Sequence, residues 1–127
     1  MTKRKGQQTF KRRSTKAHGQ NKVACEATLC SIYSLCDACH IKPYSICEES
    51  EKLDPNNSIL LLSSIHRAFD QGFITFNLEG KIIISEELSE WEWSCLGLSG
   101  SERIRMPGKR PFYMEYHREN IFKDNLL

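Results

Sequence analysis

Three residues, His40, Asn57 and His66, combine side-chain types and spacings that suit hydrolysis of a phosphodiester bond; they lie 17 and 9 residues apart. This reaction requires a base for water and a cation that neutralises charge on the phosphate and on the departing oxygen. One histidine can act as the base, and a second on a facing helix can help to hold the cation. Taken singly, each residue has an ordinary explanation, because lone histidines are commonly structural and asparagine commonly forms turns.

Two short strands are predicted to position the first two of these residues. Pro43 ends a strand through 38–41 that carries His40 at its end. The apolar run 58–62 directly follows Asn57 and is bounded by turn-forming residues, which predicts a buried strand. The polar residues between the two strands predict a loop.

A short helix is predicted to carry the third residue. A serine at 63 or 64 is a natural N-cap, the helix runs through His66 and Asp70, and Gly72 closes it. Asp70 lies one helical turn beyond His66, so the two side chains project from the same face. The order of elements is therefore strand, strand, helix.

A second hairpin is predicted downstream, because the segments 73–77 and 81–85 flank a turn that contains Gly80. Trp91 and Trp93 are expected to fill space in the core.

A loop over 97–108 is expected to lead into a terminal helix over 111–123. This helix is expected to offer Phe112, Tyr116 and Phe122 for packing.

Positive charge is concentrated at the N-terminus. The first 25 residues carry eight Lys or Arg and no Asp or Glu, whereas the remaining 102 hold ten basic and sixteen acidic residues. A basic arm over 1–24, with a helix over 7–17, suits a polyanionic partner because Lys and Arg that meet phosphates release condensed counterions. The alternative, of equal weight on charge alone, is a solvated tail that only aids solubility. The arm residues expected to contact phosphate are Lys3, Arg4, Lys5, Lys11, Arg12, Arg13 and Lys16.

The rest of the chain, 25–127, has the length of one domain with a modest core. We find neither an apolar run of membrane-spanning length nor the apolar core of a secretory signal, so we expect a cytoplasmic protein with reduced cysteines or cysteine metal ligands. The first four cysteines could form a structural zinc site, although only one CxxC pair is present. The six cysteines are Cys25, Cys30, Cys36, Cys39, Cys47 and Cys95.

The stretch 37–85 resembles the HNH endonuclease family, and more narrowly the branch found in restriction endonucleases and related bacterial nucleases. The pieces that carry the resemblance are Ala-Cys-His-Ile-Lys-Pro at 38–43, Asn-Ser-Ile-Leu-Leu-Leu at 57–62 and His-Arg-Ala-Phe-Asp-Gln-Gly-Phe-Ile at 66–74. Their order and spacing both agree with the family, whereas any one piece would be weak.

The resemblance implies an α+β fold built on a ββα-metal (His-Me finger) core within 36–85, with helices at both ends and an extra β-hairpin. In that core His40 would be the general base, and Asn57 would tie the loop together and orient the base. His66 matches the metal-ligand position, and Asp70 would complete the metal shell or orient the ligand.

Two departures from the family pattern concern the metal. Cys39 stands where many relatives place Asp, Glu or His, and a thiol is poorly matched to magnesium. Ser63 and Ser64 occupy the region where relatives carry a second cysteine pair, which weighs against the zinc interpretation. Magnesium is the expected ion, with manganese or nickel able to substitute at a site that uses histidine.

The sequence therefore predicts a metal-dependent DNA endonuclease that leaves 5′-phosphate and 3′-hydroxyl ends, with Arg67 as a further phosphate contact or a plain surface charge. A restriction enzyme or a phage or mobile-element nuclease would share this core, and symmetric cutting of both strands would favour a homodimer. The rival interpretations are a non-catalytic, zinc-stapled nucleic-acid-binding module and a nuclease subunit that needs a separate recognition protein.

Overall fold

The computed structural model describes residues 25–123, which form two small antiparallel sheets and four helices. This mixed architecture is compatible with the predicted α+β class. In chain order the elements are β1 (Cys36–His40), α1 (Glu49–Lys52), β2 (Ser58–Leu62), α2 (Ser63–Asp70), β3 (Ile74–Phe76), β4 (Ile82–Ile84), α3 (Glu90–Cys95) and α4 (Arg110–Asn120). The predicted N-terminal helix over 7–17 and the seven arm residues lie outside the described residues.

The first sheet consists of β1 and β2, paired antiparallel so that Ala38 faces Leu60 and His40 faces Ser58. The predicted second strand is confirmed with its bounds, and the first begins at Cys36, two residues earlier than expected. The middle of β2 is fully buried, and α2 packs against both strands of the sheet. The sheet thus holds the end of β1, which carries His40, beside the start of β2.

Helix α2 starts directly at the end of β2, without a loop. The predicted serine N-cap is therefore wrong: Leu62 occupies the cap position, and no side chain caps the helix. Ser63 is already helical, and its hydroxyl donates to the carbonyl of Leu35 instead. Gly72 follows the helix with a φ of +83°, and a Cβ there would collide with the carbonyl of Ile121, so glycine is required.

The second hairpin is confirmed, with strands β3 and β4 shorter than predicted. Its turn uses Gly80 at φ +87°. Of the two tryptophans expected in the core, Trp93 is half-buried against it, but the prediction for Trp91 is wrong, because that side chain is 77% exposed. Helix α3 carries both residues and turns only one side towards the core.

The terminal helix α4 is confirmed over Arg110–Asn120, but its packing face differs from the prediction. Phe112 is 63% exposed, whereas Tyr113, Met114 and His117 are buried. The residues of a helix that face the core recur with its 3.6-residue period. In α4 these residues are Tyr113, Met114 and His117, so Phe112 lies outside the buried face.

A buried ion pair joins the two ends of the described chain. Arg110, the first residue of α4, is fully buried and binds Glu26 through two hydrogen bonds of 2.7 and 3.0 Å. The guanidinium also donates to the carbonyls of Ser58 and Arg105, and the Glu26 carboxylate accepts from the backbone of Leu60. This network fastens α4 to β2 and to the segment before β1.

None of the helices formed by residues 25–123 combines the length and apolar character that crossing a membrane requires.

Candidate active site

His40, His66 and Asp70 line one pocket of about 350 Å³, although they belong to different elements. His40 is the last residue of β1, and the other two lie on α2. The wall of the pocket also includes Tyr44 and His117. The fold therefore brings together three of the four residues that the sequence singled out for catalysis and metal binding.

His40 is held by a backbone carbonyl. Its Nε2 lies 2.5 Å from the carbonyl oxygen of Lys52, at the end of α1. A carbonyl only accepts hydrogen bonds, so Nε2 carries the proton and, in the neutral ring, Nδ1 carries the lone pair. The ring also contacts Tyr44 edge-on, with centroids 5.2 Å apart. These contacts fix the orientation of a potential base.

Asn57 is fully buried and binds the backbone of the loop between β1 and β2. Its Oδ1 accepts from the amide of Lys42 at 2.8 Å, and its Nδ2 donates to the carbonyl of Glu51 at 3.2 Å. Glu51 precedes Lys52, whose carbonyl holds His40. Asn57 is thus linked to His40 through one peptide of the loop and does not line the pocket.

His66 lies between two carboxylates. Its Nδ1 is 2.9 Å from Oδ2 of Asp37, and its Nε2 is 2.9 Å from Oδ2 of Asp70. Partial burial opposes the charged form, but the hydrogen bonds to Asp70 and Asp37 outweigh it and raise the pKa of His66. His66 and Asp70, which the one-turn spacing predicted to share a helix face, thus contact each other through Nε2 and Oδ2.

Asp37 was not identified from the sequence, although a signal for it existed. It precedes Cys39 by two residues in β1, and strand residues two apart share a face. The strand face that carries Cys39, at the position where relatives place a metal ligand, thus also carries the carboxylate of Asp37 two residues earlier. The 29 residues between Asp37 and His66 hid the contact, because it depends on how α2 folds back over β1.

Cys39 is unsuited to binding a hard cation. Its side chain is buried, and burial, followed by the nearby Asp70 and Asp37, raises the pKa of the thiol well above its usual value. The thiol therefore stays neutral, whereas metals bind the thiolate. Within residues 25–123 no three His, Cys, Asp or Glu side chains are arranged to hold one ion, and this includes the four cysteines of the alternative zinc site.

His66 and Asp70 nevertheless have the chemistry and spacing of two ligands of one divalent cation. The donor set is an imidazole and a carboxylate, which suits magnesium, manganese or nickel. Adjacent ligands about 2.1 Å from an octahedral ion lie about 3 Å apart, and the observed separation between Nε2 of His66 and Oδ2 of Asp70 is 2.9 Å. Magnesium usually keeps several waters and one or two protein ligands, so the pair fits such an ion.

Arg67 does not join the pocket. Its side chain is exposed on another face of α2, where it lines a separate groove with Ser64 and Phe73. A phosphate bound by Arg67 would therefore lie in a different groove from the pocket of His40 and His66.

His117, on α4, forms part of the pocket wall and packs against the core. It is buried behind the pocket, stacks on the ring of Phe69 at 3.8 Å and contacts Thr75 and the Phe69 carbonyl, each at 2.8 Å. Burial lowers its pKa to about 4, so it packs as a neutral ring. It ties α4 to the last turn of α2, beside Asp70.

The fold and the pocket together define a small domain in which a strand pair and the following helix present two histidines to one cavity. Residues 16–77, just under half of the chain, match the family model described as HNH endonuclease. The match includes every residue discussed above for catalysis and metal binding and confirms the resemblance seen in the sequence. The chain therefore contains a segment that is similar to HNH endonucleases. No curated protein matches the chain significantly.

Proposed function

We propose that the protein is a metal-dependent DNA endonuclease in which His40 is the general base and His66 and Asp70 bind the cation. The observation that carries this proposal is that these three residues, from a strand end and a helix face, line one pocket. Strands β1 and β2 with helix α2 would then be the ββα-metal core of the enzyme.

The contacts of His40 support its role as base. The Lys52 carbonyl keeps the proton on Nε2, so Nδ1 is the nitrogen that takes a proton from the attacking water. Asn57 holds the loop that provides this carbonyl, and it acts on His40 through the loop backbone. The base is thereby oriented before substrate arrives.

A divalent cation at His66 and Asp70 would supply the positive charge that stabilises the phosphate and the departing oxygen. Water attacks the phosphorus, the bond to the 3′ oxygen breaks, and the ends carry a 5′-phosphate and a 3′-hydroxyl. We propose magnesium as the ion, with manganese or nickel as substitutes. The basic arm over 1–24 and Arg67 would bind the DNA backbone. A restriction-type nuclease and a phage or mobile-element nuclease would both use this core.

The test is incubation of the purified full chain with plasmid and genomic DNA in Mg²⁺, in Mn²⁺ and in EDTA, followed by sequencing of the cut ends. We expect cleavage in both metals, none in EDTA, and ligatable 5′-phosphate ends. Cleavage that persists in EDTA would contradict the metal assignment. Stoichiometric zinc in a protein that binds DNA but does not cut it under any condition would favour the zinc-stapled binding module instead.

A further inference from the structure

We propose that Asp37 is a positioning residue that fixes the imidazole of His66 so that its Nε2, rather than its Nδ1, is presented to the cation beside Asp70. The inference rests on the proposed function, because it concerns how that site is kept ready for the metal.

The contact arises from the junction between β2 and α2. Asp37 pairs with Leu61 in the sheet, and α2 starts two residues after Leu61, so the first turn of the helix returns over β1. His66 thereby reaches Asp37, with 2.9 Å between Nδ1 and Oδ2.

The geometry separates the roles of the two carboxylates. Asp37 meets one ring nitrogen of His66 and Asp70 meets the other, each at 2.9 Å. The two nitrogens of an imidazole point in different directions, so one ion cannot contact Nε2, Asp70 and Asp37 together in this arrangement. The lack of any three-residue metal group in the described part of the chain agrees with this. Asp37 therefore acts on the ring and not on the ion.

The chemistry of a carboxylate then sets the tautomer. An ionised carboxylate only accepts hydrogen bonds, so both ring nitrogens of His66 donate when no cation is bound. A cation bound beside Asp70 would replace the proton on Nε2, whereas Nδ1 would keep its proton and donate it to Asp37. Histidines that bind metals usually donate their other N–H to a carboxylate or a carbonyl, which orients the ring and raises its basicity. Cys39, buried and neutral, cannot supply this negative charge.

The first test follows the tautomer of His66 by NMR in the full-length protein labelled with ¹⁵N-histidine, at alkaline pH, with and without Zn²⁺ as a diamagnetic probe. We expect the Nδ1–H form in the wild type with Zn²⁺ bound, because the ion then takes the place of the Nε2 proton beside Asp70. Asp37→Ala should lose that preference, and Asp37→Asn should retain it because the amide oxygen still accepts. A predominant Nε2–H form in the zinc-bound wild type would overturn the proposal.

The second test measures the affinity for Mn²⁺ alone, without DNA, by calorimetry. Asp37→Ala should bind about 10- to 100-fold more weakly, the range seen when the partner of a ligand histidine is lost. Asp37→Asn should stay within a few-fold of the wild type, and Glu79→Ala, an exposed carboxylate on the β3–β4 turn, should change nothing. Circular dichroism confirms that each variant is folded.

The outcomes distinguish this proposal from the proposed function. Equal losses in Asp37→Asn and Asp37→Ala would make Asp37 a direct ligand and overturn its positioning role. Unchanged Mn²⁺ affinity in Asp37→Ala would also overturn it while the endonuclease assignment stands. A wild-type protein that takes up no Mn²⁺, yet shows the Nδ1–H form, would refute the metal site and keep Asp37 as the partner of His66.

Discussion

A single backbone carbonyl orients His40, the proposed catalytic base. Because the Lys52 carbonyl accepts a hydrogen bond from Nε2 of His40, Nδ1 is the nitrogen that would accept a proton from water. Replacing His40 with alanine should leave a folded protein that binds DNA and Mn²⁺ but cleaves about 10² to 10⁴ times more slowly, the usual cost of losing a general base. Single-turnover cleavage of a plasmid measures the rate, and cleavage within threefold of wild type would remove His40 from the mechanism.

Loss of a metal ligand should have a different kinetic signature. His66→Ala and Asp70→Asn should raise the Mg²⁺ concentration needed for half-maximal cleavage, because each removes one of the two proposed ligands, whereas a base defect lowers the plateau. Cys39→Ala should leave this concentration nearly unchanged, because the buried thiol is neutral. The measurement is cleavage rate against Mg²⁺ for the three variants. If Cys39→Ala needed the most metal, the site would depend on a thiolate and our ligand assignment would be wrong.

At the scale of elements, the first sheet and α2 could be predicted because their signals are local. The apolar run of β2, the turn residues before it and the glycine after α2 each act within a few residues. The contact of Asp37 with His66 could not be predicted in the same way, because it depends on the angle at which α2 returns over β1.

The errors in the C-terminal half have a similar cause. Trp91 and Phe112 were expected to pack because they are large and apolar, but the helix faces that the rest of the fold covers lie elsewhere. The burial of Arg110 could not be predicted, because arginine is rarely buried without a partner and its partner Glu26 lies 84 residues away.

The junction between α2 and α4 should make stability depend on acidity. Burial lowers the pKa of His117 to about 4 in the folded protein, against an ordinary value of 6.5. Between pH 6.5 and about pH 4 this histidine is protonated in the unfolded chain but neutral in the folded chain. The free energy of unfolding therefore decreases as the pH falls through this range. At about 1.36 kcal/mol per pH unit, the loss approaches about 3 kcal/mol.

His117→Gln isolates this contribution from that of the carboxylates. The variant should be less stable than wild type near neutrality, because it loses the stacking on Phe69. The gap should narrow by up to about 3 kcal/mol towards pH 4, because glutamine has no proton to gain. Urea unfolding of both proteins across this range measures the gap, and a gap independent of pH would show that His117 is not buried as a neutral ring.

On the scale of the whole molecule, the uneven distribution of charge should govern affinity for DNA. Deleting residues 1–16 removes seven positive charges from a chain whose last 102 residues hold more acidic than basic groups. Each lost phosphate contact should reduce the slope of log affinity against log salt by about 0.9. Binding measured over a salt series, with a full-length variant carrying glutamine at the seven positions as control, tests this. An unchanged slope would show that the arm is a solvated tail.

The buried pair of Glu26 and Arg110 links the segment that matches the family to the C-terminal helix, so the segment cannot be transferred to another protein without losing this contact. Glu26 lies inside the segment 16–77 that matches the family, and Arg110 lies well beyond its end. A fragment that stops at Asn77 would keep a buried carboxylate without its guanidinium, and breaking such a pair typically costs about 3 to 5 kcal/mol, a large share of the stability of a small domain. Recombination at the family boundary would therefore transfer the proposed catalytic residues without the buried ion pair that helps to hold the fold around them.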